Sequence, residues 1–312
     1  MTSELSERCW QIEAAETERL DRWLALRCSD LSRAQIIKLI TTGQVLVNGL
    51  PVKPSYHPRT GDTIMLNLLP TPAQPPEAAT DLLPLEVVYE DESLLVINKP
   101  AGLVVHPGAG HASGTLVQSL LVYRPDLALA DLDPMRPGLV HRLDKDTSGL
   151  LVVAANRTAQ AALQAQFKAH TVEKTYLAIL YGHLQPTEGA IEAPIARHPI
   201  QRYKMAVTVA GDRQACTAFH VREDFHTACY VEAHPLTGRT HQIRVHFAAV
   251  GHAVVGDVIY GPRHPTLAAP RQMLHAWRIA FDHPLTHQRL SLTIEPPADF
   301  QAVLVRLRLT EA

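Results

Sequence analysis

The stretch PGLVHRLDKDTSGLLVV, Pro137 to Val153, sets the central question of this chain. Five of six consecutive positions titrate: His141, Arg142, Asp144, Lys145 and Asp146. Apolar runs of the kind found in buried strands enclose them. Burying such a cluster unpaired is costly, so the segment is either a hairpin tip in solvent or a site. The following Thr147-Ser148-Gly149 is expected to shape a turn, with Gly149 permitting close backbone approach.

The flanking sequence places this cluster in a strand-rich domain. LEVVYEDESLLVINKPAG (Leu85–Gly102) reads as two strands joined by a tight acidic turn. NRTAQAALQAQFKAH (Asn156–His170) reads as a helix, with Leu163 and Phe167 at i, i+4. KTYLAILYG (Lys174–Gly182) is apolar on both alternating faces, as a central strand is. ACYVEAHP (Ala228–Pro235) and RTHQIRVHFAA (Arg239–Ala249) are further expected strands. No G-x-G-x-x-G, P-loop or repeat period occurs. The expected class is α+β, a mixed and largely antiparallel sheet flanked by helices.

Toward the N-terminus the pattern changes. Residues 1–16 are expected to be a flexible leader. Residues 17–69 form a small αα-β unit: Leu20, Trp23 and Leu24 make one helix face, and Ile36, Leu39 and Ile40 another. Ser32 and Gln35 have capping-box spacing, and Gly43 is placed to end the second helix. Asn48-Gly49 signals a hairpin, and Thr63–Leu68 a further strand. Between Glu18 and Asp62 stand seven Lys/Arg and four Asp/Glu, a net +3. Arg27, Arg33 and Lys38 are expected to share a phosphate-facing surface. PTPAQPPEAATDLLP (Pro70–Pro84), with five prolines, reads as an extended linker, leaving 85–312 as the second domain.

Composition narrows the function classes. The net charge of -2 argues against strong attraction of the whole chain for nucleic acid, while leaving local patches open. Cys9, Cys28, Cys216 and Cys229 form no C-x-x-C pair. Among the 17 histidines, His241 and His246 are five apart, which suits no zinc helix. Met1–Ala15 is polar and acidic, unlike a secretion signal. No apolar run reaches the ~18 residues of a membrane span. The expectation is a cytoplasmic monomer with reduced thiols and no membrane partner.

Two resemblances sharpen this reading. SRAQIIKLITTGQVLVNG, with the later PRTGDTI, resembles an S4 domain, a small RNA-binding module, over roughly residues 17–68. GLVHRLDKDTSGLLVVA, NKPAGLVVHPGAG (Asn98–Gly110) and LTGRTHQIRVHFAAVGHAVVGDVIYG (Leu236–Gly261) resemble three motifs of the RluA/RluD-type pseudouridine synthases. The resemblance implies that Asp144 is the catalytic aspartate and that Arg244 is its basic partner, holding it charged and oriented. It implies that Tyr176 stacks on the uracil and helps remove the C5 proton. Arg142 would fill the gap left by a flipped nucleotide, with His141, Arg239 and His241 also binding substrate. On that reading Arg244→Met cripples turnover with little loss of fold. The implied partner is RNA, 23S rRNA or the pre-ribosomal large subunit, and not DNA; neither metal nor organic cofactor is implied. A tRNA target, an RNA-binding module without activity, and a nucleoside hydrolase with two carboxylates remain open. Residues 262–272 carry no recognisable role.

Overall fold

The computed structural model describes residues 6–14, 18–28, 31, 33–68, 84–105, 114–128, 136–209 and 213–310. The chain divides into two units, Met1–Ala78 and Ala79–Ala312. In the first, β1 (Ser6–Gln11) precedes α1 (Leu20–Arg27) and α2 (Arg33–Thr41). The strands β2 (Val45–Val47), β3 (Leu50–Pro51) and β4 (Thr63–Leu68) follow, giving the sheet order β1-β4-β2-β3. Leu20, Trp23 and Leu24 of α1 and Ile36 and Ile40 of α2 pack on Val45, Val47, Ile64 and Leu66. Asn48 and Gly49, at φ 52° and 77°, turn β2 into β3. Asp62 locks this turn to β4. It accepts from Asn48 Nδ2 (2.8 Å), the Tyr56 hydroxyl (2.7 Å) and the Arg59 N–H (2.8 Å).

The leader expectation needs correction. Ser6–Gln11 is a strand, antiparallel to β4. Trp10 meets Trp23 edge-on, with centroids 5.9 Å apart, and Ile12 is buried. The edge of β4 would otherwise leave ladder groups unpaired, and β1 satisfies them. The Ser32 cap and residues 70–83 of the linker lie outside the described residues.

Among the described residues, the second unit is built on a sheet of nine strands. β5 (Glu86–Glu90) and β6 (Leu94–Lys99) are joined by the expected acidic turn, where Asp91 accepts the N–H groups of Ser93 and Leu94. β7 (Ser148–Ala154) and β8 (Glu173–Tyr181) flank α4 (Arg157–Ala169), which Asn156 caps through the Ala159 N–H. β9 (Glu188–Glu192) is followed by a separate hairpin, β10 (Ile195–Arg197) and β11 (Met205–Val207). β12 (Cys216–Asp224), β13 (Ala228–Pro235), β14 (Leu274–Asp282) and β15 (Arg289–Thr293) complete the set. Helices α3 (Leu116–Tyr123), α5 (Gln242–Ala249) and α6 (Ala298–Thr310) join α4 on the sheet. The strand order is β5-β6-β7-β14-β8-β13-β12-β9, with β15 on the second half of β14. β7 and β14 run parallel, and the other neighbouring pairs run antiparallel. All seven residues of β7 are buried, as a strand covered on both faces requires.

Two local expectations fail. Residues 239–249 are not a strand: Gln242–Ala249 is α5. The alternation of Ile243, Val245 and Phe247 imitated period two. Period two would turn its polar partners to solvent, but Gln242, Arg244 and His246 are also buried. Each has its own hydrogen-bond partners, so residues 242–247 of the helix are enclosed on all sides. The apolar run before His141 also forms no strand; Leu139 makes a single bridge to Val153. Arg142 and Asp144 therefore do not share a strand face.

Gly149 is required where the two parallel strands meet. Its φ is 111°, and a Cβ there would overlap the Ala276 carbonyl of β14.

Several histidines are buried or half-buried and neutral. His275 donates from Nε2 to the Ile294 carbonyl (2.9 Å) and accepts at Nδ1 from Ser148 (2.9 Å). His141 accepts the Val152 N–H at Nε2 (2.9 Å) and stacks on Phe167. Burial pushes His141 down to about 3 and His275 down to about 4, and lowers His246. Below the unfolded value of about 6.5 the unfolded chain therefore takes up protons that the folded chain refuses. This stability is complete above that pH and is lost as pH falls toward the folded values, by up to about 1.4 kcal/mol per pH unit for each histidine. His183, raised by Asp224 on the surface, acts in the opposite sense. Urea midpoints are expected to hold from pH 7.5 to about 6.5 and to fall from there to pH 5.5. A flat profile would show that these rings are charged in the fold.

Candidate active site

The loop before β7 is bound at each step of its backbone. The Asp144 carbonyl accepts the Thr147 N–H (3.1 Å). The Lys145 carbonyl accepts both the Gly102 N–H (3.0 Å) and Lys99 Nζ (2.9 Å). The Asp146 carbonyl accepts from Arg271 Nη1 (3.0 Å), and Thr147 Oγ1 accepts from Gln272 Nε2 (2.7 Å). Arg271 is itself held by Asp299 through two bonds (2.6 and 3.0 Å). Lys99 is fully buried and also donates to the carbonyls of Pro100 and Leu103. Burial pushes its pKa down to about 7, against the pull of Asp146. Asp144 thus projects from a rigid loop, the preorganisation that site chemistry requires.

Arg244 of α5 meets this carboxylate. Its Nε and Nη2 bond both oxygens of Asp257 (2.6 and 2.9 Å), and its Nη1 bonds Asp144 Oδ2 (2.8 Å). The Arg244 side chain is 5% exposed and that of Asp257 0%. Burial alone would lower Arg244, but its bonds to Asp257 and Asp144 prevail and raise it. Burial alone would raise Asp257, but the Arg244 bonds prevail and lower it. Asp257 further accepts the N–H groups of Ile259 and Tyr260 (2.9 and 3.0 Å), so it is a fixed anchor. The second Asp144 oxygen faces His241 Nε2 at 3.8 Å, too far for a hydrogen bond. The Tyr260 hydroxyl accepts the Met205 N–H and donates to His241 Nδ1 (2.7 Å), leaving the His241 Nε2–H toward Asp144. Burial lowers the His241 pKa.

A cavity of about 520 Å³ opens beside Asp144. All seven residues expected at the site in this domain line it: His141, Arg142, Asp144, Tyr176, Arg239, His241 and Arg244. Tyr176 lies on β8, in register with Ala233 of β13 and Ala276 of β14. Burial raises its pKa, and Asp144 adds to the effect, so the hydroxyl stays protonated. Gln242 shapes the cavity edge by accepting from the Thr237 hydroxyl and the Arg239 N–H. Among the described residues, Asp144 is the one carboxylate in the lining, beside five Lys/Arg. An oriented carboxylate with one free oxygen therefore faces a cavity suited to a polyanion.

Arg27, Arg33 and Lys38 belong to the other unit. The Arg27 guanidinium sits over the Trp23 ring, 3.9 Å from its centroid. The Arg33 and Lys38 side chains lie outside the described residues. Sequence reasoning missed Asp257, Arg271, Lys99 and Lys174. Asp257 had a readable signal, since an aspartate bonding the N–H groups two and three residues on is an Asx turn. Arg271 supplies a role for part of the 262–272 segment.

Comparison with known proteins identifies the family. The RNA pseudouridylate synthase family matches residues 93–249, and the S4 domain family matches residues 18–64. The ribosomal large subunit pseudouridine synthase D of Pseudomonas aeruginosa is 42% identical over 303 residues, covering 93% of this chain and 92% of that protein. The uncharacterized RNA pseudouridine synthase YlyB of Bacillus subtilis is 42% identical over 296 residues, covering 95% of this chain and 96% of that one. The solved structure of human RNA pseudouridylate synthase domain containing 4 has a TM-score of 0.57 and 26% identity, covering 72% of this chain and 93% of that one. An S4 domain, a mixed sheet and this conjunction of motifs occur together here, and the chain belongs to the RNA pseudouridylate synthase family.

Proposed function

We propose that this synthase converts uridines of large-subunit ribosomal RNA to pseudouridine in the cytoplasm, with Asp144 as the catalytic group. The observation that carries the reading is the Asp144 carboxylate itself, fixed through one oxygen by Arg244 and open through the other to the cavity. The choice of RNA is supported by relatives from Pseudomonas aeruginosa and Neisseria meningitidis that are named ribosomal large subunit pseudouridine synthase D.

The reaction breaks the C1′–N1 bond and joins C1′ to C5 of the same uracil. The C5 proton leaves and N1 gains one, so no atom is lost overall. Cleavage builds positive charge at C1′, which the free Asp144 oxygen is placed to meet. A target inside a stem must be flipped, at a cost of a few kcal/mol. Arg142, exposed at the cavity lip, is the proposed occupant of the gap. The raised pKa of Tyr176 argues against a resting tyrosinate base, so its proposed part is to pack its ring on the uracil. A two-carboxylate hydrolase finds no second acid here, because Asp257 is sealed behind Arg244.

The S4 unit is proposed to add backbone affinity. Arg33→Ala/Lys38→Ala is expected to lower the salt-dependence slope of RNA binding by about two and to leave the rate at saturating RNA unchanged. An unaltered slope would remove these residues from the RNA contact. The test of the main proposal is to treat 23S rRNA from cells lacking the gene with purified protein and map carbodiimide-dependent reverse-transcription stops. New stops establish both the RNA and the uridines. Stops confined to tRNA, or release of free uracil, would overturn it.

A further inference from the structure

We propose that the end of the cavity formed by Lys174, Lys168 and His170 is a phosphate subsite that takes an RNA backbone phosphate next to the target uridine. This rests on the reading that the uridine itself sits at Asp144.

Lys174 and Tyr176 are two residues apart on β8, so they project from the same face, and both line the cavity. Lys174 is half-buried, and burial lowers its pKa. No described residue gives its ammonium a hydrogen bond or an ion pair. A half-buried, unpartnered ammonium is a cost that a bound anion removes. Lys168, in the last turn of α4, and His170, in the left-handed position that ends it, line the same cavity and are exposed, and Phe167 beside them stacks on His141. Asp144, the carboxylate among the described residues of the lining, is engaged by Arg244. His141 supplies no counter-charge, since it is neutral, accepts the Val152 N–H and stacks on Phe167. Two lysines grouped in this way call for a formal negative charge, and a neutral base carbonyl would not supply it. The ligand class is the phosphodiester monoanion, whose contacts position a nucleic acid rather than read its sequence.

The experiment uses the full chain and a synthetic RNA hairpin spanning the first uridine mapped in 23S rRNA. The hairpin is made with ordinary phosphates and with a neutral methylphosphonate at each phosphate within two nucleotides of that uridine. Binding from 50 to 300 mM KCl and single-turnover pseudouridine formation are measured for wild type, Lys174→Met, Lys174→Arg and Lys168→Met. Lys174→Met is expected to weaken binding about tenfold and to lower the salt slope by about one. One methylphosphonate position should produce the same loss in wild type and no further loss in Lys174→Met. Lys174→Arg should retain most of the affinity. Lys168→Met, an exposed change that cannot disturb the core, should give a smaller loss of the same sign. A wild-type slope in Lys174→Met, or losses that simply add for every methylphosphonate, would overturn the subsite. Failure of the uridine reading looks different: wild type then forms no pseudouridine in any hairpin, and the phosphate coupling is still read from binding.

Discussion

Asp144→Asn is expected to reduce single-turnover pseudouridine formation by about 10³-fold or more, the scale set by one essential ionised group, with fold and RNA affinity kept. The argument rests on how the loop is held. The bonds that shape it reach backbone carbonyls of Asp144, Lys145 and Asp146 and the Thr147 hydroxyl. None of those depends on the Asp144 carboxylate. An asparagine oxygen can still accept from Arg244 Nη1, so the side chain keeps its place. What disappears is the negative charge proposed to face C1′. The same change removes the cavity's carboxylate, leaving five Lys/Arg facing a polyanion, so binding should be unchanged or tighter. A rate loss without an affinity loss is the signature of an interaction made in the transition state. Stops on 23S rRNA equal to wild type would place the chemistry on another residue, and a parallel loss of binding would make Asp144 a structural residue.

Much of the fold could be read from local chemistry. The Asn48-Gly49 turn, the acidic turn at Asp91, the Asn156 cap and the fully apolar β7 each obey a rule that acts within a few residues. Where reading failed, the deciding partner was remote in sequence. β1 exists because the edge of β4 needs a partner, and β4 begins 52 residues after β1 ends. Helix α5 was mistaken for a strand because a polar residue was assumed to seek water. Gln242, Arg244 and His246 instead meet Thr217, Asp257 and Ala193, none of which adjoins them in the chain. The site divides in the same way. Asp144, Tyr176 and Arg244 were reached through motif resemblance. Lys99 and Arg271 hold the loop that carries Asp144 across 46 and 125 residues, and no periodicity announces such a contact.

Arg244→Met is expected to abolish measurable turnover and also to destabilise the protein, by about 3–5 kcal/mol. The motif alone suggested an intact fold, but Asp257 changes that expectation. Its carboxylate is fully buried and receives two of the bonds Arg244 makes. Removing the guanidinium leaves a buried charge with only the Ile259 and Tyr260 N–H groups for compensation. Loss of activity in the single variant is therefore ambiguous between a missing catalytic partner and a loosened fold. Arg244→Met/Asp257→Asn separates the two, because a neutral amide no longer needs the counter-charge. The double variant should regain most of the lost urea midpoint, since the cost lay in the stranded charge rather than in the absence of a favourable pair. It should regain none of the rate, since nothing then holds Asp144 Oδ2 from the α5 side. Recovery of rate together with stability would mean that Arg244 serves the fold alone. Persistent instability in the double variant would mean that the Asp257 turn, and not the buried pair, sets the cost.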